Sequence, residues 1–194
     1  MKKLGLSLFP ILAVALMLGI ASGNAVAQNV GDNSVYFTTY YSNANTSSAP
    51  DATVRIINDG DTGGNLWAAF YVFDDSEELT ECCACVITPD GLLSESVNKN
   101  LTANPLTGRI TTRGVIKVVS SASGDDTNLK PTAGLREWAT HVQKTTSSGY
   151  AVTETLAADS NLAAGEQTLL QELCYFDGLL SGLPCTCTPE DHDF

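Results

Sequence analysis

Basic side chains are scarce in this chain: ten lysines and arginines stand against 22 aspartates and glutamates, for a formal net charge of −12 over 194 residues. Two of the ten, Lys2 and Lys3, lie in a leader expected to be removed, which leaves eight and takes the charge to −14. Nonspecific affinity for nucleic acid or anionic lipid rests on lysine and arginine neutralising phosphates. Eight basic residues scattered singly exclude nucleic acid as a partner. Histidine is scarcer still, with only His141 and His192. Gly-x-Ser-x-Gly, His-Glu-x-x-His and phosphate-cradling glycine motifs are all absent. The sequence therefore assigns no catalytic residue and no cofactor, and the chain reads as a non-enzyme before it reads as an enzyme. No internal repeat and no linker-length low-complexity tract divides it.

What is present begins with an export signal. Lys2 and Lys3 form a positive start, Leu4 to Ile20 an apolar stretch broken by Pro10, and Ala25-Val26-Ala27 a small-x-small cleavage site. Cleavage there predicts a mature chain from Gln28, secreted, periplasmic or at the cell surface. No cysteine at the cleavage site and a polar end, Thr188 to Phe194, leave no membrane anchor after processing. Residues 28–194 suffice for one domain with a proper core.

Along that domain the dominant hydrophobic period is two. Ser34 to Tyr41, Ala52 to Ile57, Leu66 to Phe73, Ile110 to Val119 and Tyr150 to Leu156 are rich in aromatic and β-branched residues, as half-buried strands require. The glycine and Asn/Asp-rich connection Asn58 to Gly64 predicts an antiparallel hairpin between the second and third strands. Helical period is read in three places: Leu93, Val97 and Leu101; Leu135, Trp138 and Val142; and Leu162 to Phe176, ending at Gly178. Strands early and helices late predict a mainly β, α+β architecture, an antiparallel sandwich-like sheet with two or three short helices.

Six cysteines fall in two clusters, Cys82, Cys83 and Cys85, then Cys174, Cys185 and Cys187. Neighbouring cysteines within a cluster are badly spaced for bridges to one another, so pairing from cluster to cluster is expected, with the individual partners open. Such bridges staple the C-terminal helix and tail to the sheet and stabilise by roughly 4 kcal/mol each in the chain-entropy account. A thiolate metal site competes with this reading. Zinc sites prefer wider spacing, and an oxidising compartment removes the thiolates.

Two further ligand readings rest on local composition. Asp59, Asp61 and Asn65 alternate oxygen-bearing side chains around glycines, a weak calcium candidate that lacks the bidentate glutamate of an EF-hand loop, since Phe70 stands in its place. Tyr36, Tyr40, Trp67 and Tyr71 are candidates for a sugar-stacking face, although core packing uses the same residues. Carboxylates in Asp74 to Glu81 would serve an extracellular hydrolase only if two of them faced across a cleft. His141 is expected at a surface or boundary position.

The string Glu81-Cys82-Cys83-Ala84-Cys85-Val86-Ile87-Thr88-Pro89-Asp90-Gly91-Leu92, with Leu135 to His141 and the late Cys185-x-Cys187, resembles a group of exported soil-bacterial proteins of unknown function. The resemblance implies an exported single domain and carries no catalytic residues. The reading that results is a non-enzymatic structural or adhesion-type domain whose partners are extracellular protein or polysaccharide. A carbohydrate-binding module is the alternative and a hydrolase the third. If all six cysteines are paired, alkylation of the native, non-reduced protein followed by intact-mass measurement is expected to add no label, and full labelling only after reduction.

Overall fold

A computed structural model of the chain describes residues 33–105, 108–145, 149–180 and 185–189. The leader and its cleavage site, and His192, lie outside the described residues. Nine strands form: β1 (Tyr36–Ser42), β2 (Thr53–Asn58), β3 (Leu66–Asp74), β4 (Leu79–Ile87), β5 (Leu92–Ser96), β6 (Arg113–Ser121), β7 (Leu135–Lys144), β8 (Tyr150–Leu156) and β9 (Ala158–Ser160). A π-helical turn, Val97–Leu101, follows β5, and one helix, α1 (Ala164–Leu180), follows β9. The strands make two sheets, ordered β4-β3-β6-β1-β9 and β5-β2-β7-β8, and their pairs are antiparallel. The mainly antiparallel, disulfide-stapled sandwich expected from the strand periods is the fold.

Two apolar layers explain why some strands alternate and others do not. Between the sheets lie Phe37, Tyr41, Val54, Ile56, Phe70, Val72, Ile87, Leu93, Ile116 and Val118. On the outer face of the five-stranded sheet, Tyr36, Ala69, Tyr71, Cys82 and Val119 pack against Leu170 and Cys174 of α1. Strand β3 therefore buries both faces, which is why Leu66 to Val72 reads as a nearly unbroken apolar run. Helix α1 is docked through Leu170, by Tyr36 donating to Glu166 at 2.9 Å and by a Lys117–Glu166 ion pair at 2.6 Å. The pair is partly exposed and contributes at most about 1 kcal/mol, so the apolar contact dominates.

Four expectations about the elements are corrected. Leu135 to Val142 is not a helix but strand β7: Leu135, Glu137, Ala139 and His141 alternate as buried positions, Val142 is buried beside His141, and Trp138 is only half-buried, so the i, i+3, i+7 spacing of Leu135, Trp138 and Val142 does not mark a helix face. Leu93 lies in β5, and only Val97 to Leu101 is helical, as a single π turn. The connection from Asn58 to Gly64 does not make a hairpin, because β2 pairs with β5 and β7 while β3 pairs with β4 and β6 in the other sheet. Turn residues reverse the chain locally but do not say which sheet receives it. Helix α1 also continues past Gly178 to Leu180.

The bridges are Cys82–Cys174, Cys83–Cys185 and Cys85–Cys187, with Cα separations of 5.8, 5.3 and 5.5 Å. Each joins one cluster to the other. Cys83–Cys185 closes a loop of 102 residues within the intersheet core. Cys83→Ala with Cys185→Ala is expected to cost about 2–5 kcal/mol and to lower the thermal midpoint by roughly 10 °C, read by calorimetry. An unchanged midpoint would show that this bridge does not constrain the unfolded chain.

Candidate functional site

Strand alternation sorts the bridges. Cys82 points to the helix-covered face and meets Cys174 of α1, whereas Cys83 and Cys85 point between the sheets and meet the tail cysteines. The tail then crosses to the opposite sheet: the Thr188 N–H donates to Glu95 Oε1 at 2.8 Å and its hydroxyl donates to the Ser94 carbonyl at 2.9 Å. Residues 185–189 thus close one long side of the sandwich, from β4 to β5. Asp126 lies near the Cys82–Cys174 bridge. While bridged, these sulfurs offer no thiolate to a metal.

Three glutamates are buried on strands of the sandwich, and burial is the largest cause of the upward shift of each. Glu81 on β4 accepts the Asn104 N–H through Oε1, Glu95 on β5 accepts from Thr188, and Glu137 on β7 has no hydrogen-bond partner on either carboxylate oxygen. Glu137 is pushed up to about 8 by burial alone. Glu81 reaches about 7, where the bond from Asn104 opposes burial and nearby Asp177 reinforces it. Glu95 also reaches about 7, held back by the bonds from Thr188. Each is a buried carboxyl whose proton is held to higher pH by an apolar setting, Glu137 the most strongly.

His141 is not a surface or boundary residue, because β7 turns it inward, where it is only 5 % exposed. Its ring stacks on Tyr40 at a centroid distance of 4.1 Å, and Nδ1 lies 3.1 Å from the Tyr40 carbonyl. A carbonyl only accepts, so Nδ1 carries a proton; Nε2 meets the Thr155 hydroxyl at 2.8 Å. Asn43 Nδ2 adds a bond to the Val142 carbonyl at 2.7 Å. Histidine here ties β1 of one sheet to β7 and β8 of the other.

The four aromatic candidates are not brought into one exposed face. Tyr36 and Tyr71 are buried beneath α1, and the Tyr71 hydroxyl donates to the Asp126 carbonyl at 2.7 Å. Gly124 packs so closely on the Trp67 indole that a Cβ there would lie 2.5 Å from Nε1. Tyr40 alone of the four is substantially exposed. In the calcium candidate loop, Asp59 Oδ1 accepts from the Asp61 N–H at 3.1 Å and Oδ2 lies 3.4 Å from Arg136. A guanidinium therefore occupies the neighbourhood where a cation would sit. Asp61 and Asn65 are exposed.

Among the described residues, a polar cleft of about 410 Å³ lies at one end of the five-stranded sheet, lined by Ser42, Asn43, Asp74, Asp75, Arg109 and Arg113 among others. Asp74 ends β3, and its Oδ1 caps the following turn by accepting from the Ser76 and Glu78 N–H groups at 2.7 and 3.1 Å. Its buried Oδ2 has no hydrogen-bond partner. Arg113 Nε donates to Asp75 at 2.8 Å, and this bond is the main reason that the Asp75 carboxyl stays below its ordinary range. Gly114 is required beside it, because a Cβ there would fall 1.9 Å from the Phe73 carbonyl oxygen. The acidic turn is legible in the sequence, but the two arginines that balance it come from a segment more than 30 residues further on, and no local pattern announces them.

No family model matches the chain, and comparison with curated proteins and with solved structures gave no match.

The buried glutamates set a pH dependence. An unfolded glutamate titrates near ~4.3, so between that value and about 8 the native chain holds protons that the unfolded chain has released. Stability must fall as pH rises through this window and level off above it. The thermal midpoint is expected to be higher near pH 5 than near pH 8. Glu137→Gln is expected to flatten that slope and to stabilise at pH 8 by on the order of a few kcal/mol. Thermal melts of both proteins across the range are the check, and parallel curves would contradict the assignment.

Proposed function

We propose that the chain is an exported, non-enzymatic contact domain, acting in surface, matrix or adhesion contacts. The observation that carries the reading is the stapling of α1 and the C-terminal tail to β4 by three bridges between residues 82–85 and 174–187. Disulfides of this kind persist only in an oxidising compartment, and they suit a domain that must endure there without repair. The leader over residues 1–27 agrees with that destination. Groups that would attract attention as acid–base catalysts are taken up by packing: His141 is stacked and doubly bonded, and Glu137 is enclosed.

A carbohydrate-binding role is the second reading, supported by the cleft at Asp74, Asp75, Arg109 and Arg113. Two acidic and two basic side chains offer both acceptors and donors with little net charge, which suits a neutral polyhydroxylated ligand. Deleting the gene in the cells that make the protein is expected to weaken attachment or matrix cohesion, with the mature protein, beginning at Gln28, recovered from the surface or matrix fraction. Unchanged cohesion with the protein wholly in the spent medium would overturn the contact role. Retention of the purified protein on a neutral polysaccharide, lost in Arg113→Ala, would move the assignment to the second reading.

A further inference from the structure

The sandwich has four edge strands, and three are covered or curtailed. Strand β4 is bridged to α1 and the tail, β5 receives Thr188, and β9 is only 3 residues long before the chain leaves for α1. The fourth, β8, pairs with β7 along all 7 of its residues without a register shift, and among the described residues no strand pairs with its outer edge. Natural edges are blunted by charged side chains, lysine above all, or by proline, bulges or shortness. Tyr150-Ala-Val-Thr-Glu-Thr-Leu156 has no lysine, proline or bulge, and its one charge, Glu154, is paired with Arg55. Its residues from Ala151 to Leu156 are exposed, with Val152 at 51 % and Leu156 at 59 %.

We propose that β8 is a self-association edge, pairing antiparallel with β8 of a second copy of this chain about a two-fold axis at Thr153. The phase of the backbone supports this. The Ala157 N–H donates to the Glu137 carbonyl, and the Thr145 N–H to the Gly149 carbonyl, so the odd-numbered residues of β8 are those bonded to β7. The N–H and C=O groups of Tyr150, Val152, Glu154 and Leu156 consequently point outward. An axis at Thr153 sets Val152 opposite Glu154 and Tyr150 opposite Leu156, so every outward group meets an outward group and the full strand is used. Any other register leaves an end unpaired.

Side chains favour the same occupant. Opposed residues share a face, so the register across β7 and β8 gives the row Trp138, Leu156, then Tyr150 and Lys144 of the second copy, repeated by symmetry. The exposed Leu156 would lie between Trp138 and the partly buried Tyr150 of the second copy, which also packs against its own core. Charge is also handled locally. An isologous contact between two acidic chains is repulsive over most of this surface, yet the one charge on β8, Glu154, is already paired with Arg55 of β2. Lys144 and Arg136 lie on the adjoining strand. The inference goes beyond the contact role and does not depend on it, since association is read in solution without any surface present.

The test is analytical ultracentrifugation of the oxidised, mature protein across the micromolar range. The native chain is expected to convert from monomer to dimer as concentration rises. Val152→Pro removes an outward N–H and leaves the β7 ladder intact, since edge strands accept proline at such positions, and it is expected to remain monomeric with an unchanged far-ultraviolet spectrum. Leu156→Lys is a second variant at an exposed site, placing like charges across the interface near Lys144. It is expected to weaken dimerisation at least tenfold even if the proline variant fails to fold. A native protein that stays monomeric, or a dimer indifferent to Leu156→Lys, would overturn the proposal.

Discussion

The covalent link between one edge strand and the end of the chain governs the architecture. Strand β4 is the outermost member of its sheet, and every cysteine upstream of residue 100 lies on it. By bridging to α1 on one face and to the tail on the other, it gains partners on both faces that an edge strand otherwise lacks. Helix α1 then has a fixed place over Tyr36, Tyr71 and Val119, giving the five-stranded sheet a second buried face. The tail, pinned by two bridges, reaches across to β5 and holds the two sheets together on that side.

The opposite side is closed by a different chemistry. There, no covalent bond joins the sheets; His141, Asn43 and the stacked Tyr40 ring bind β1 to β7 and β8 through hydrogen bonds and aromatic contact. On the first side the bridges fix the tail to β4 and hydrogen bonds from Thr188 complete the crossing to β5, so only the second side lacks covalent support altogether. The enclosed Glu137 lies on β7 with that second set of contacts, so ionising it burdens the side without covalent support.

Several elements were legible from the residues: β1, β2, β6 and β8 follow from β-branched and aromatic periodicity, β3 from its continuous apolar run, and α1 from its leucines. Strand β7 was not legible, because two of its alternating buried positions after Leu135 are the polar Glu137 and His141, while the buried Val142 falls at helical spacing from Leu135 and Trp138. Strand β4 was hidden for a related reason, its inward side chains being cysteines whose burial depends on partners about a hundred residues away. The polar cleft was half legible. Asp74 and Asp75 stand out in their acidic turn, but Arg109 and Arg113 reach them only through the pairing of β6 with β3, a long-range fact that sequence spacing does not carry.

Consecutive residues of a strand face opposite ways, and the Cys82-Cys83 dipeptide uses this as an address system. One thiol is presented to the helix layer and the next to the intersheet layer, so the polypeptide itself keeps the two partners apart. For Cys174 to reach Cys83 instead, the helix would have to leave the outer face and come round the β4 edge into the intersheet layer. Sorting between the two layers is therefore a by-product of completed β-structure, which leaves an oxidant as the remaining requirement of the helix bridge. An isomerase to choose between the two layers is redundant once β4 has joined β3.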